Sequence, residues 1–488
     1  MTSSTATYGI TGYGGYVPRL RMQRAAIAES HRWMAPGLRG LAKGQRAFCS
    51  WDEDSVTMAV EAARDALGDR AGFDVESLVF ATTRPPFADL PGASLVAGAL
   101  HLSSDIRTLD LGRSQRAGVG GLLAMLEAQS GTGLFIVSDH PSGKPASTQE
   151  LTFGAGAAAF TVGAVGVIAE YLGSSSLVSP FVDQFRANDN KYGYAWEERW
   201  IRDEGLAKIV PETVGAALRK ARVEPAHVNR FIFGSPLKDA ALLVARKCGI
   251  TTDAAVNPLD ERCGYSGSAH SCLMLAHSLE NAQPGEVLVV VGFGLGCDVM
   301  VLRATDGVQA VKPRRGVSGA LTDAIENDSY LRMLSFDDAI ELEWGMRAEK
   351  QVKTALTEQF RSSHQLASFT AARCRQCSTV QFPQMSYCVN QNCQSPNSEF
   401  STISLADQPA RVFTYTADWL SYYPSPPMYV GFVDFDVGAR VLMEIVDVGE
   451  TGLHVGVPLK MVCRIKDIDN ARGYPRYFWK ATPLTAKD

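Results

Sequence analysis

The sequence predicts an α/β fold followed by a small β-barrel. Three observations predict it. Strands and amphipathic helices alternate over residues 8–303, which is typical of an α/β core with helices on both faces of the sheet. Two βα-rich segments each end in a strand pair around a glycine-rich turn, at Phe153-Gly-Ala-Gly and Phe293-Gly-Leu-Gly, which indicates an internal duplication. The tail consists of short strands that follow a cysteine cluster.

Length and composition limit the function classes. A chain of 488 residues, 46% hydrophobic and 20% charged, is expected to form several globular domains. A net charge of −5 argues against a nucleic-acid partner. Neither a signal peptide nor an apolar run long enough to cross a membrane is found. Scattered cysteines beside one tight cluster are typical of a reducing compartment, so we expect a cytoplasmic protein without a membrane partner.

Residues 1–165 are predicted to form the first half of the α/β core. Asp52-Glu-Asp-Ser-Val precedes the strongest helix, Val56–Leu67, and supplies its N-terminal cap. The other predicted elements are strands at 8–16, 78–82 and 133–138, a small-residue strand from Phe153, and helices at 24–33, 93–100 and 122–129.

Residues 166–305 are predicted to form the second half. Its predicted elements are strands at 167–171, 231–233, 286–292 and 298–303, and helices at 212–221, 240–248 and 269–281. Residues 306–365 are predicted to be a helical linker.

The tail is predicted to contain a zinc ribbon and a barrel. Two thiolate pairs at residues 366–400 have the spacing of a tetrahedral structural Zn2+ site, and the alternative is a ribbon that keeps its shape without metal. The four cysteines are Cys374, Cys377, Cys388 and Cys393. Residues 401–488 are predicted to form the barrel, an OB-fold, with strands at 412–417, 430–435, 441–446, 453–457 and 459–465.

One glycine-bounded stretch, Asp110 to Gly121, predicts a turn from a strand into a helix. Such a turn presents a side chain and several N–H groups at a helix N-terminus, where an oxyanion is stabilised. Gln115 occupies that place, either as a hydrogen-bond donor or as an inert polar residue. Arg113 and Arg116 flank it, either to meet a substrate anion or as surface charges.

Residues 7–305 resemble the thiolase superfamily, in particular its prokaryotic hydroxymethylglutaryl-CoA synthase branch. The most specific motifs are Gly12-Tyr-Gly-Gly-Tyr-Val-Pro-Arg-Leu20, the helix-capping segment from Asp52, the Arg116-Ala-Gly turn, Phe153-Gly-Ala-Gly and Tyr265-Ser-Gly-Ser268. The resemblance implies a duplicated five-layer αβαβα thiolase fold, coenzyme A as a substrate, and a homodimer. The tail resembles a zinc-ribbon and OB-fold module that accompanies many such enzymes as a separate subunit.

The resemblance also implies that this sequence has replaced the catalytic residues of the family. The family cysteine nucleophile aligns with Gln115, and the family glutamate with Thr83. The family histidine aligns with Gly234, and the family asparagine with Cys263. Cys263 is therefore a candidate replacement nucleophile, or else a small apolar core residue.

The remaining candidates surround this position. Arg84 and Arg262 are predicted to bind a substrate carboxylate together, unless Arg262 forms an ion pair with Asp260 or Glu261. Tyr265 follows in the glycine turn, and with Thr83, Gly234 and Arg116 it is predicted to contact substrate.

His140 follows a predicted strand and is a candidate general base, oriented by Asp139 or Glu150; the alternative is a surface loop histidine. His270 and His277 are interpreted as packed histidines.

Without a cysteine nucleophile, the resemblance favours retro-Claisen cleavage of a β-keto acid. CoA thiolate would attack the ketone directly and give an acyl-CoA, and an aryl substrate such as vanilloylacetate is one candidate. The alternative is a Claisen-type condensing enzyme that holds the acyl group on another thiol. A third interpretation is a non-catalytic scaffold subunit.

Overall fold

The computed structural model describes residues 7–68, 74–349, 352–449 and 452–484. The chain divides into two compact units. The first contains Met1–Ser50, Asp54–Ser94 and Ser103–Ala339, and the second contains Trp51–Glu53, Leu95–Leu102 and Ile340–Asp488. Within the described residues, no helix combines the length and apolar character needed to cross a membrane.

The strands of the first unit are β1 (Gly9–Tyr16), β2 (Leu20–Gln23), β3 (Gln45–Ala47), β4 (Ser77–Ala81), β5 (Arg107–Leu111), β6 (Gly133–Asp139), β7 (Gly156–Gly163), β8 (Ala169–Val178), β9 (Gln184–Phe185), β10 (Tyr194–Ala195), β11 (Arg230–Phe233), β12 (Val287–Phe293), β13 (Gly296–Ala304) and β14 (Ile325–Asn327). The α-helices of the chain are α1 (Arg24–Ser30), α2 (Ser55–Leu67), α3 (Gly92–Ala99), α4 (Ala117–Ala128), α5 (Thr148–Thr152), α6 (Glu198–Trp200), α7 (Val210–Ala221), α8 (Ala240–Cys248), α9 (Asp260–Cys263), α10 (His270–Leu279), α11 (Gly316–Thr322), α12 (Tyr330–Phe336), α13 (Leu356–Arg361) and α14 (Ser363–Ala367). A π-helix at Ile201–Ile209 leads into α7.

One nine-stranded sheet organises the first unit, in the order β11-β12-β13-β8-β1-β7-β6-β4-β5. Strands of the two predicted halves occupy opposite sides of it. They are joined between β1 and β8 by only two residue pairs, Gly9 with Glu170 and Ile10 with Ala169. The order agrees with the duplication inferred from the sequence.

The core of this unit connects both halves. Helix α10 is buried along almost its whole length, and it shares one hydrophobic cluster with α4. That cluster also contains residues of β6 and β7 from the first half and of β12 and β13 from the second. The N-terminus of α4 is therefore held inside the unit, where the candidate site lies.

The predicted cap of α2 is confirmed in part. Asp54 is the N-cap, and its carboxylate accepts a hydrogen bond from the Thr57 backbone N–H at 2.9 Å. Thr57 completes a capping box, because its hydroxyl accepts from the Asp54 N–H at 2.8 Å. Further along α2, the buried Asp65 accepts from the Gly15 N–H at 2.8 Å and fixes the helix against β1.

Residues 306–339 group with the first unit, so the predicted linker 306–365 is too long at its start. Strand β14 pairs in parallel with β2, and β2 pairs with β3, so this stretch is part of a three-stranded sheet.

The second unit contains a three-stranded sheet and a closed five-stranded barrel. Its strands are β15 (Thr370–Cys374), β16 (Val380–Gln381), β17 (Phe400–Ser404), β18 (Ala410–Asp418), β19 (Met428–Phe435), β20 (Arg440–Ile445), β21 (Pro458–Asp469) and β22 (Tyr474–Pro483). The barrel order is β18-β19-β20-β22-β21.

The barrel has five strands, as predicted, but one of the five is formed by a different segment of the chain. The predicted strand Leu453–Val457 is wrong, because Gly452 and Gly456 both have positive φ and keep these residues in a loop. Strand β22 takes its place and pairs antiparallel with β21 from Tyr474 to Pro483.

A buried charge network holds the short segment Trp51–Glu53 within the second unit. Lys480 donates to the Asp52 carboxylate at 3.0 Å, and Arg464 lies 3.2 Å from the Glu53 carboxylate. Both cations are 1% exposed. Asp52 is therefore an ion-pair partner rather than part of the helix cap.

Candidate active site

Several of the predicted site residues lie at strand ends on one edge of the large sheet. Thr83 follows β4 and His140 follows β6, and these two strands pair in parallel. The carboxyl ends of parallel strands meet at one edge of a sheet, which is where ligands bind in open α/β sheets.

Asp139 is the centre of this arrangement. Its side chain is fully buried at the end of β6. The carboxylate accepts from Thr83 Oγ1 at 2.7 Å, from Ser268 Oγ at 2.9 Å and N at 3.1 Å, and from the His140 N–H at 3.1 Å. Burial raises the pKa of Asp139, and the bonds from Thr83 and Ser268 oppose that rise.

The segment that contacts Asp139 requires a glycine. Gly267 has a φ of +55°, and a Cβ added to it would lie 2.7 Å from Asp139 Oδ2. Next to it, the Ser268 carbonyl oxygen would lie 2.2 Å from a Cβ on Gly118 of α4. Asp139 thus joins the ends of β4 and β6 to the segment that leads into α10, and that segment packs against the N-terminal turn of α4.

Gln115 lies directly before Arg116, the N-cap of α4. Its side chain is half-buried and makes no hydrogen bond to any described residue. A Cβ on Gly294 would lie 2.9 Å from Gln115 Cβ, so the turn between β12 and β13 packs against it. The amide is available beside the helix N-terminus, as an oxyanion donor requires.

Arg116 has a partner within the protein. Its Nη1 atom lies 2.7 Å from Asp298 Oδ1 of β13. The prediction that Arg116 contacts substrate is not supported by this geometry, because the guanidinium is already paired with a carboxylate. Arg113 is exposed, with a positive φ.

His140 is half-buried at this edge. Burial and the positive charges of Arg84 and Arg186 lower the pKa of His140 to about 4, so its ring is neutral at pH 7. The prediction that Asp139 or Glu150 orients the His140 ring is wrong. Asp139 accepts a hydrogen bond from the backbone N–H of His140 and not from its ring. Glu150 accepts from Tyr330 at 2.6 Å and contacts His31 at 2.9 Å.

Gly234, which aligns with the family histidine, lies where the structure leaves no room for a larger side chain. A Cβ on Gly234 would lie 2.8 Å from His270 Cδ2 and 3.0 Å from the Ser271 N. His270 is a packed histidine, as predicted: its Nε2 donates to the Pro258 carbonyl at 2.7 Å. Gly234 therefore contributes its backbone alone, and its N–H donates to Ser271 Oγ at 3.0 Å.

Cys263 lies in the apolar core, so the structure favours the core interpretation over the nucleophile. Its side chain is fully buried at the end of α9, and its Sγ lies 3.4 Å from the Leu259 carbonyl oxygen. Burial raises the pKa of this thiol to about 11. A thiol with that pKa supplies almost no thiolate at pH 7.

Tyr265 is buried, whereas Arg262 is exposed. Tyr265 is 5% exposed, with its ring 5.1 Å from His270 and 5.9 Å from Phe153, and burial raises its pKa. Arg262 is exposed on α9 and forms no ion pair with a described residue, including Asp260 and Glu261. The predicted pair of Arg84 with Arg262 is not supported, because no contact joins the two among the described residues. The arginine near Arg84 is Arg186, which bonds to the carbonyl of the adjacent Thr83 and whose charge lowers the pKa of Arg84.

Sequence reasoning missed Arg186 and the bonding role of Asp139. Arg186 donates to the Thr83 carbonyl at 3.2 Å and to the Asn190 carbonyl at 3.1 Å. Its segment has no clear periodicity, and the sequence contains no signal for a contact between residues so far apart. Asp139 was detectable as a carboxylate directly after an apolar strand.

The predicted metal ligands of the second unit converge. The Sγ atoms of the four cysteines all lie within 4.8 Å of one another. Cys374 and Cys393 are 3.7 Å apart, and Cys377 and Cys388 are 3.5 Å apart. Four thiolates at 2.3 Å from a zinc ion have sulfur–sulfur separations of about 3.8 Å, so this donor set fits tetrahedral Zn2+.

Comparison with known proteins identifies the family. The family described as 3-oxoacyl-(acyl-carrier-protein) synthase III C terminal matches residues 218–303. The hydroxymethylglutaryl-CoA synthase of Methanocaldococcus jannaschii is 30% identical over 317 residues, covering 63% of this chain and 91% of that protein. That of Caldivirga maquilingensis is 30% identical over 342 residues, covering 66% and 95%. The chain belongs to the hydroxymethylglutaryl-CoA synthase family.

Solved structures support the same fold. PksG, a hydroxymethylglutaryl-CoA synthase from Bacillus subtilis, superposes with a TM-score of 0.58 at 16% identity, over 71% of this chain and 95% of that one. The 3-oxoacyl-(acyl carrier protein) synthase III of Pseudomonas aeruginosa gives 0.52 at 20% identity, over 62% and 99%. The predicted thiolase-like α/β fold is confirmed. This hydroxymethylglutaryl-CoA synthase family member is an acyltransferase of the thiolase superfamily, whose members form or cleave carbon–carbon bonds in CoA thioesters.

Proposed function

We propose that the chain catalyses Claisen-type chemistry on a CoA thioester without an acyl-cysteine intermediate. The observation that carries this proposal is Gln115, an amide at the α4 N-terminus with no hydrogen-bond partner among the described residues, where the family resemblance places a cysteine. Four cysteines of the first unit, Cys248, Cys263, Cys272 and Cys297, are poorly suited to substitute for it, because burial raises the pKa of each thiol. Burial raises the pKa of Cys248 and Cys263 to about 11 and that of Cys297 to about 12.

In the condensing direction, both substrates are bound together. A base removes a proton from the α-carbon of one substrate, and the carbanion attacks the thioester carbonyl of the other. The carbonyl oxygen becomes an oxyanion, which the Gln115 amide and the α4 N-terminus stabilise. Collapse of the tetrahedral intermediate releases CoA thiolate. Neutral His140 is our candidate for the base. The relatives are named synthases, which favours this direction over the retro-Claisen cleavage predicted from the sequence.

Retro-Claisen cleavage is a second candidate. CoA thiolate adds to the ketone of a β-keto acid, the oxyanion forms at the same place, and the carbon–carbon bond breaks to give an acyl-CoA and an enolate. The proton lost by the thiol then reaches the enolate carbon. The observation that favours this candidate is the presence of Arg84 and Arg186 beside Thr83, since a β-keto acid carries a carboxylate.

Exchange of Gln115 for alanine is expected to lower kcat about 100-fold, because it removes an oxyanion donor. The assay follows CoA thioesters by chromatography in both directions, with acyl-CoA pairs or with CoA and β-keto acids. Cys263→Ala is the matched control and should retain activity. A covalent acyl adduct in the intact-protein mass, absent in Cys263→Ala, would contradict the proposal.

We also propose a homodimer formed at a free edge of the large sheet. Strand β5 is one of the two edge strands of this sheet, and Leu109 on it is 53% exposed. An exposed edge strand pairs readily with a second copy.

Leu109→Lys should shift the mass in sedimentation equilibrium from two chains to one, since a charged side chain disfavours edge pairing. Val165→Lys, at an 89% exposed position, is the control and should leave the mass unchanged. Equal masses for all three proteins would contradict this interface.

A further inference from the structure

Two arginines lie near each other where β4 ends, and their hydrogen bonds to described residues all go to neutral carbonyl groups. Arg186 donates to the carbonyl oxygens of Thr83 at 3.2 Å and Asn190 at 3.1 Å. Arg84 donates to the Lys191 carbonyl at 2.9 Å. These contacts fix the direction of each guanidinium and leave N–H donors on both.

The two positive charges are not neutralised by a bonded carboxylate. Neither Arg84 nor Arg186 forms an ion pair with a described residue. Asp139 already accepts from Thr83, Ser268 and the His140 N–H, and Asp337 lies 3.7 Å from Arg46.

Two buried carboxylates act on Arg84 through their charge but form no hydrogen bond or ion pair with it among the described residues. Burial and then the charge of Arg186 lower the pKa of Arg84, with Asp139 and Asp337 opposing that effect from a distance. His140 is neutral at pH 7. Holding one half-buried guanidinium beside another is unfavourable in the free protein, and an anion bound between them removes that repulsion.

We propose that Arg84 and Arg186 form a binding site for the free carboxylate of the substrate. The enzyme would thus act on a substrate that carries a carboxylate in addition to the reacting carbonyl. Guanidinium groups suit carboxylates because they donate two parallel hydrogen bonds. A carboxylate, rather than a phosphate of CoA, is favoured by the position. The arginines flank Thr83, His140 and Asp139 at the strand ends, where the reacting group rather than the far end of CoA belongs.

This inference rests on the proposed function for the identity of the site, and its test is binding rather than turnover. Isothermal titration measures acetoacetate and benzoylacetate, each against its uncharged carboxamide, and CoA separately. Wild-type protein should bind the acids about 10- to 100-fold more tightly than the amides, the range expected for charge-assisted hydrogen bonds. In Arg186→Gln that preference should fall to about one, with CoA affinity unchanged.

Arg186 is the first choice for substitution because it is exposed, and Arg84→Lys provides a second variant that keeps the charge but not the fork of donors. Arg262→Gln is the matched control and should keep the preference, because Arg262 is an exposed arginine elsewhere in the unit that forms no ion pair with a described residue. Equal binding of acids and amides by the wild type would overturn the inference, as would a loss of CoA affinity in Arg186→Gln. Binding of acids without any binding of CoA would instead overturn the proposed function and leave the carboxylate site standing.

Discussion

Exchange of Cys377 for serine should abolish zinc binding and destabilise the second unit by more than about 4 kcal/mol. We propose that the four cysteines hold one structural Zn2+, since their sulfurs are already spaced for it. The sheet β16-β15-β17 is too small to supply a large core, and small elements of this kind depend on a metal for stability. Zinc per chain by mass spectrometry, together with urea unfolding followed by tryptophan fluorescence, measures both effects.

Cys248→Ser provides the matched control, because that thiol lies on α8 outside the cluster. It should retain one zinc per chain and an unchanged unfolding midpoint for the second unit. The proposal fails if purified wild-type protein contains no zinc and a chelator leaves its unfolding curve unaltered. It also fails if Cys377→Ser keeps a full equivalent of metal, since three thiolates and a serine would not hold zinc as tightly.

The fold was predictable where local chemistry determines structure. Asp54 caps α2 because a short acidic side chain and the Thr57 hydroxyl satisfy the first N–H groups of the helix, and that pattern is local. Strand β22 was not predictable, because its buried Lys480 looks like a surface residue in sequence. Its ion pairs with Glu444 and with Asp52, the latter more than 400 residues away, stabilise it inside.

The candidate site was predictable to a similar extent. Closely spaced glycines predict the turn that presents Gln115. The spacing of the four cysteines alone predicts their cluster. The arginine near Arg84 was not predictable, because nothing in the sequence distinguishes Arg186 from Arg262. The two residues differ only in their tertiary position. Gly234 could be identified as a replaced family histidine, but the contact with His270 that closes this position is visible only in the structure.

Replacement of Asp139 by leucine should lower the free energy of unfolding of the first unit by about 3 to 5 kcal/mol, although the two side chains are similar in size. The change removes the acceptor of the buried Ser268 N–H and hydroxyl and of the half-buried Thr83 hydroxyl and His140 N–H, and each group left unsatisfied in the interior costs about 1–3 kcal/mol. Urea unfolding followed by circular dichroism measures the loss. Activity should fall with it, because Asp139 positions Thr83 and the turn that packs on α4.

Asp139→Asn distinguishes the charge from the geometry. One amide oxygen can accept from two of the donors, but the amide nitrogen then faces N–H groups that it cannot bond, so an intermediate loss of about 1–3 kcal/mol is expected. Asp253→Asn, an exposed carboxylate elsewhere in the unit, should stay within about 0.5 kcal/mol of the wild type. If Asp139→Leu were as stable as Asp253→Asn, the carboxylate would not be what holds β4, β6 and the start of α10 together. The strand ends that carry Thr83, Asp139 and His140 would then be held in place by packing alone.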